Sequence, residues 1–269
     1  MEERKLGLLV LLMSFFCYHA IAQGKIKFDK LTVENGLSQS NINYILQDDQ
    51  GYIWFATNGG LNRFDGTGFK VFTHNKFDSS SISNNIVNHI YLDQQNKLWF
   101  STQNGLNLYD RSSEAFMSYK SEIQTSQGLS SNHITCTIED KLGYYWIGTA
   151  GGGLNRFDPK TKKFKTYKHN DKNPESISSN SISCMVKDKY GFLWVGTADN
   201  GLNMLDPESG KFLRYVKSEI SADGATLSSN QIKAIYEDNE GDLWIGTTAG
   251  LNLLKPKTGK EASIDGMKS

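Results

Sequence analysis

The chain has 269 residues with 29 Lys plus Arg against 29 Asp plus Glu, so it carries no net charge. That balance excludes a broad electrostatic nucleic-acid binder, which needs a basic excess. At 22% charged and 38% hydrophobic residues the composition also excludes a disordered chain. Gly is frequent at 25 and Pro scarce at 4, which fits an all-β chain of many turns better than a loop-rich one.

The first segment reads as an export signal. Arg4 and Lys5 give a positive start, Leu6 to Phe16 is apolar apart from Gly7 and Ser14, and Ala20-Ile21-Ala22 sets small residues at the cleavage positions. The apolar run is about half of the ~20 residues that a spanning helix needs. The competing reading is an uncleaved anchor. Cleavage after Ala22 leaves residues 23–269 as the exported, periplasmic part, and no later stretch is apolar enough to span a bilayer. Phe28 to Leu31 follows and has the pattern of an outer strand.

The rest of the chain repeats five times. Trp54, Trp99, Trp146, Trp194 and Trp244 stand 45, 47, 48 and 50 residues apart. Other columns line up on this ladder. Asp48, Asp93, Asp140, Asp188 and Asp238 each stand six residues before the Trp. Thr57, Thr102, Thr149, Thr197 and Thr247 stand three after it, and Ser38, Ser83, Ser130, Ser178 and Ser228 sixteen before it. A Gly-Leu-Asn triplet closes each unit, from Gly60-Leu61-Asn62 to Gly250-Leu251-Asn252. A period in the 40s with one Trp per unit indicates a repeat architecture.

Each unit predicts four short strands. The first is the apolar run that ends at the Asp, such as Ile42 to Leu46. Gly51, Asn96, Gly143, Gly191 or Gly241 then makes a hairpin turn, since Gly and Asn tolerate positive φ. The second strand carries the Trp and ends at the Thr. The third starts at the Leu-Asn pair, and Asp158-Pro159 and Asp206-Pro207 open the next turn. The fourth has aromatics three apart, as in Phe69/Phe72, Phe116/Tyr119, Phe164/Tyr167 and Phe212/Tyr215. The predicted fold is therefore all-β, a β-propeller of five four-stranded antiparallel blades. The fifth unit has only Glu261 to Ile264 where its fourth strand should lie. Two endings stay open: Phe28 to Leu31 completes the last blade and closes a five-blade ring, or the five blades are an arc of a larger ring.

The pattern Leu-Ser-Ser-Asn, Glu-Asp, Gly-x-Leu-Trp-Ile-Gly-Thr and Gly-Leu-Asn, clearest at Leu227 to Asn230 with Glu237-Asp238 and Gly241 to Thr247, resembles the two-component regulator propeller repeat. The resemblance covers about residues 24 to 260. It implies the periplasmic sensor of a hybrid two-component system of Bacteroidetes-like bacteria, many of which respond to glycan breakdown products. It also implies a histidine kinase, either in a longer parent or as a partner in the inner membrane. The family has about fourteen repeats and this chain five, with no kinase, receiver or DNA-binding motif, so signalling output belongs elsewhere.

No nucleophile elbow, HExxH or Walker-type loop occurs, and no catalytic residue, metal ligand or cofactor is assigned. The five Asp residues read as turn residues that bond local amides rather than as metal ligands. The Trp residues read as anchors between blades. Lys160, Lys162, Lys163, Lys165 and Lys168 suit a fourth strand whose exposed edge must resist aggregation; an anionic-glycan patch is the alternative. Cys136 and Cys184 share one column of adjacent blades and are expected as free thiols.

A ligand should meet what varies between repeats. In a meander, the turns between strands two and three share one end of the propeller with the connections from strand four to the next blade. Those segments offer Asn58, Gln103, Asn104, Asp199 and Asn200 from the turns, with His74 and His169 from the connections. Such side chains suit sugar hydroxyls. The leading reading is a sensor segment that binds a small carbohydrate and does no chemistry. The alternatives are a scaffold for protein–protein interaction and a secreted propeller lyase.

Overall fold

The computed structural model describes residues 27–121, 128–217 and 226–255. The export signal and Glu261 to Ile264 lie outside them. The chain divides into a unit ending at Leu31 and a unit running from Thr32. In the first, the described residues 27–31 form no strand, and Phe28 is 84% exposed. Of the two endings left open by the sequence, a closing strand at Phe28 to Leu31 is not formed among the described residues.

The second unit is a five-blade β-propeller of 19 described strands. Blade 1 is β1 (Ile42–Gln47), β2 (Ile53–Thr57), β3 (Gly60–Phe64) and β4 (Phe69–Phe72). Blade 2 is β5 (Val87–Leu92), β6 (Leu98–Thr102), β7 (Gly105–Asp110) and β8 (Ala115–Tyr119). Blade 3 is β9 (Ile134–Glu139), β10 (Tyr145–Thr149), β11 (Leu154–Asp158) and β12 (Lys163–Tyr167). Blade 4 is β13 (Ile182–Lys187), β14 (Leu193–Thr197), β15 (Leu202–Leu205) and β16 (Phe212–Tyr215). Blade 5 is β17 (Ile232–Glu237), β18 (Leu243–Thr247) and β19 (Gly250–Leu254). Each sheet is a simple antiparallel meander in chain order. The only described helix is a 3₁₀ turn at Val33–Asn35.

The first hairpin of every blade is fixed by its Asp and its Trp. The turn residue sits at φ 88° (Gly51), 61° (Asn96), 81° (Gly143), 100° (Gly191) and 89° (Gly241), the left-handed region that Gly and Asn accept. One carboxylate oxygen of the Asp accepts backbone amides across the turn, as Asp140 Oδ1 does from Leu142 and Tyr144 at 2.8 and 3.0 Å. The other accepts the Trp indole N–H at 2.7–2.9 Å in all five blades. The sequence pattern pointed to the first role and missed the second.

Neighbouring blades are held together by apolar clusters. Trp54, Ala56 and Leu61 of blade 1 pack with Val87, Ile90 and Phe100 of blade 2. Trp99 and Leu106 meet Ile134, Tyr145 and Ile147 of blade 3. Trp146 and Leu154 meet Ile182 and Val195 of blade 4. Trp194, Leu202 and Met204 meet Ile232 and Ile245 of blade 5. The Trp ladder is thus the blade-to-blade anchor that the pattern implied. No corresponding cluster joins blade 5 to blade 1 among the described residues, and Trp244 is 38% exposed where Trp146 and Trp194 are at 0%.

Cys136 and Cys184 are free thiols on β9 and β13, as expected. Burial pushes Cys136 up to about 12, with Cys184 nearby adding to the effect, and pushes Cys184 up to about 11. Lys163 and Lys165 lie exposed on β12, the edge strand of its sheet.

Candidate ligand-binding face

The shared Ser, Thr and Asn columns build one end of the propeller. In blade 1 the Ser38 amide donates to Asn62 Oδ1 at 2.8 Å, and Asn62 Nδ2 returns a bond to Ser38 Oγ at 2.8 Å. Thr57 Oγ1 lies 2.9 Å from Ser38 Oγ and donates to Gly60 O at 2.7 Å. The reciprocal Ser–Asn pair recurs at Ser83–Asn107, Ser130–Asn155, Ser178–Asn203 and Ser228–Asn252. These side chains are spent on one another. They lock the turn between strands two and three to the segment that enters the same blade.

The same end also joins blade to blade. The amides of Gly105, Gly153 and Gly201 donate at 2.8 Å to the carbonyls of Asn132, Asn180 and Asn230 in the next blade. The two loop sets that the meander argument placed together therefore do share one face.

On that face the residues proposed from sequence divide into two groups. Gln103, Asp199 and Asn200 are exposed, and no described bond engages their side chains. Asn58 and Asn104 are half-buried and partly used. Asn58 Oδ1 accepts from Asn43 Nδ2 at 2.8 Å, and Asn104 Nδ2 reaches Ser83 O at 3.4 Å.

His74 and His169 have a structural task. Nδ1 of each lies 2.8 Å from a loop carbonyl, Ile82 O and Ile177 O respectively. The amides of Asn75 and Asn170 donate to Ser81 Oγ and Ser176 Oγ at 3.0 and 2.9 Å. Blades 1 and 3 are thus followed by one loop design, in which the imidazole closes the loop. His169 Nε2 is further paired with Asp171 at 2.8 Å. With Nδ1 engaged, Nε2 of His74 is the edge left for a ligand.

A second set of residues on this face was missed. Each first strand carries a β-bulge between its first and third residues, at Asn43, Asn88, Thr135, Ser183 and Lys233. A bulge re-aims the extra side chain and often lies beside functional sites. Here it turns Asn43 Nδ2 onto Val87 O at 2.8 Å and Asn88 Nδ2 onto Ile134 O at 2.6 Å, both in the next blade. Lys233, on the last blade, is exposed. The only signal was a polar column inside an apolar strand, as in Ile-Asn-Tyr-Ile and Ile-Lys-Ala-Ile.

The next column inward is Tyr44, His89, Cys136, Cys184 and Ala234. His89 packs against Tyr44 with ring centroids 4.2 Å apart and the rings tilted by 53°, and its Nδ1 is enclosed without a hydrogen-bond partner. Burial lowers the His89 pKa to about 4. Among the described residues no group of His, Cys, Asp and Glu is placed to hold a metal.

A cavity of about 640 Å³ lies at the opposite end, on the outer side of blade 2. Two of its charged groups are engaged: Arg111 pairs with Asp48 and Asp49 of blade 1, and Asp110 with Ser112 and Ser113.

Comparison with known proteins gives this architecture a context. Residues 36–59, 81–104, 128–151, 176–199 and 226–249 match the two-component regulator propeller repeat. A 75-residue stretch is 44% identical to Histidine kinase P4 of Formosa agariphila, covering 28% of this chain and 6% of that protein. Among solved structures, the extracellular domain of a protein described as a hybrid two-component system of B. thetaiotaomicron is 30% identical with a TM-score of 0.73, over 84% of this chain and 30% of that one. A second such domain from B. thetaiotaomicron shares the fold at 22% identity and a TM-score of 0.71, over 86% of this chain and 32% of the other. The chain thus spans about a third or less of the length of these relatives. No described helix is long and apolar enough to cross a membrane.

Proposed function

We propose that this chain, whose five blades are two-component regulator propeller repeats, is a periplasmic ligand-binding segment of a hybrid two-component signalling protein. It binds a glycan-derived ligand and performs no chemistry. The kinase it informs belongs to a longer protein or to a partner in the inner membrane. The relation to extracellular domains of hybrid two-component systems supports the context.

One observation carries the choice of face. The repeated Ser, Thr and Asn columns are consumed by their own network, while Gln103, Asp199 and Asn200 stand exposed beside them with free amide or carboxylate groups. Exposed planar amides and a carboxylate on a rigid frame suit the paired hydroxyls of a sugar, because each can both position and discriminate by hydrogen bonding. The polar bulge column adds Lys233 at the rim. Titration of the protein with oligosaccharide fragments of different linkage, followed by calorimetry, tests the reading. Saturable binding that is lost with Ala at Gln103, Asp199 and Asn200 supports it.

A further inference from the structure

We propose that the groove between blades 3 and 4 holds a site for the carboxylate of a small ligand, built from Arg156 and Lys165. The groove between blades 1 and 2 supplies the template. There Arg63 of β3 and Lys70 of β4 stand opposite each other in register. Together they hold the carboxylate of Glu114, which comes from the β7–β8 turn of blade 2. Arg63 Nη2 lies 3.1 Å from Glu114 Oε1, and Lys70 Nζ takes Oε2. Arg63 also lies over the rings of Tyr52 and Trp54, 4.6 and 5.8 Å from their centroids. Glu114 sits at φ 54°, a conformation that few residues other than Gly accept.

The groove between blades 3 and 4 repeats these parts without the acid. Arg156 of β11 and Lys165 of β12 form the same register pair. Arg156 lies over Tyr144 and Trp146 at 4.5 and 5.9 Å. Lys165 lies over Tyr167 at 4.8 Å, as Lys70 lies over Phe72 at 5.4 Å. The β15–β16 turn has the length of the β7–β8 turn, so that Asp206 to Phe212 corresponds to Asp110 to Phe116. The position of Glu114 then falls to Gly210, which keeps a positive φ of 73° but has no side chain. Arg156 and Lys165 therefore have aromatic contacts and no ion pair with any described residue. Glu175, in the loop that follows blade 3, pairs with Lys211 at 3.6 Å. The strands, the turn and the loop around this groove are all described, and both blades lie within the chain.

Two cations side by side repel each other and favour an anion between them. A guanidinium held flat on aromatic rings is oriented before the anion arrives, which lowers the ordering cost of binding. A carboxylate is the anion that the template holds, with one oxygen on each cation. Arg156 is half-buried and Lys165 exposed, so the pair can be reached from solvent. The acid of a sugar and a non-sugar dicarboxylate offer the same group. The β15–β16 turn stands at the opposite end of blade 4 from Asp199 and Asn200, because successive turns of a meander alternate ends. The site is thus separate from the candidate ligand face and does not depend on it.

The test is a titration of the full chain with glutarate and with trigalacturonate at low salt, followed by amide NMR shifts, which also detect weak binding. At least one of the two should bind. Arg156→Gln and Lys165→Gln should each weaken that binding about 10-fold or more, as the loss of a charge-assisted hydrogen bond does. Lys165 is exposed, so its variant serves if Arg156→Gln fails to fold; circular dichroism checks each fold. Gly210→Glu restores the acid of the template and should compete with the ligand. Gly210→Gln makes the same demand on the backbone without the charge, and it should bind far more tightly than Gly210→Glu. Binding of glutarate shows that a carboxylate alone suffices; binding of trigalacturonate only shows that the acid belongs to a sugar. If neither carboxylate binds, or if Arg156→Gln, Lys165→Gln and Gly210→Glu leave the binding unchanged, the proposal is overturned.

Discussion

The indole N–H of Trp146 donates to Oδ2 of Asp140 at 2.7 Å, with the Trp at 0% and the Asp at 2% exposure. The Trp that anchors one blade against the next is thereby held by the Asp that shapes its own hairpin. Turn and interface are one device in blades 1 to 4, where the Trp is buried against the next blade. Asp140→Ala leaves a buried indole donor unpaired and two turn amides unsatisfied, at a cost of about 2–4 kcal/mol. The corresponding Asp238→Ala on exposed blade 5 should cost clearly less, because water can replace the carboxylate. Chemical denaturation of the two variants checks the order; equal losses contradict it.

Strand two has a column of small residues that permits close blade packing. A Cβ added at Gly148 meets Ile182 Cγ2 at 2.7 Å and Cys136 Sγ at 2.8 Å, and one at Gly196 meets Ile232 and Cys184 in the same way. At Gly246 the nearest atom is 3.7 Å away, and it belongs to the same blade. Gly148→Ala and Gly196→Ala should each lose about 1–3 kcal/mol through overpacking, and Gly246→Ala should be neutral or slightly stabilising. Thermal melts of the three variants separate these outcomes. A large loss at Gly246 would show that blade 5 is covered as the other blades are.

His89 makes stability pH-dependent. Its pKa falls from 6.5 to about 4 because burial disfavours the imidazolium. The unfolded chain thus binds the proton first as pH drops. The stabilising difference is complete above pH ~6.5 and is lost as pH falls towards 4, by at most about 3 kcal/mol. Carboxylates also titrate near the lower limit, so the informative quantity is the difference between wild type and His89→Leu. That difference should change across pH 6.5 to 4; parallel stability curves contradict the assignment.

The thiols of Cys136 and Cys184 should not react with a thiol reagent in the native protein, since burial raises their pKa values to about 12 and 11. Denaturation without reductant should release both. For residues 23–269, which lack Cys17, a denatured, non-reduced chain with no reactive thiol would mean that the blades are bridged.

The five-fold pattern was legible because each shared column has one job in every blade. Asp140 and Trp146 stand at a fixed spacing because they bond each other across one hairpin. The bulge at Asn43, Asn88, Thr135, Ser183 and Lys233 was hidden for the same reason. All five strands contain the extra residue, so the columns stay in register and no insertion marks it. The loop-closing role of His74 and His169 depends on carbonyls at Ile82 and Ile177, and no side-chain pattern reports a carbonyl's direction. The exposure of Leu251 was equally invisible, because Leu251 has the same sequence surroundings as the buried Leu202. Of the candidate face, the shared end of the two loop sets was read correctly from meander topology. Which of its residues are free was not, because the bond that engages Asn58 comes from Asn43, fifteen residues away on the bulged strand.

Calorimetry of oligosaccharide binding to the wild type and to a triple variant, Gln103→Ala with Asp199→Ala and Asn200→Ala, is the decisive measurement for a carbohydrate site on this face. All three residues are exposed, so the triple variant should melt within about 0.5 kcal/mol of the wild type. At least one glycan fragment should bind the wild type saturably and fail to bind the variant. Absence of binding to every fragment, or binding that the triple variant retains at full strength, would contradict a carbohydrate site on this face.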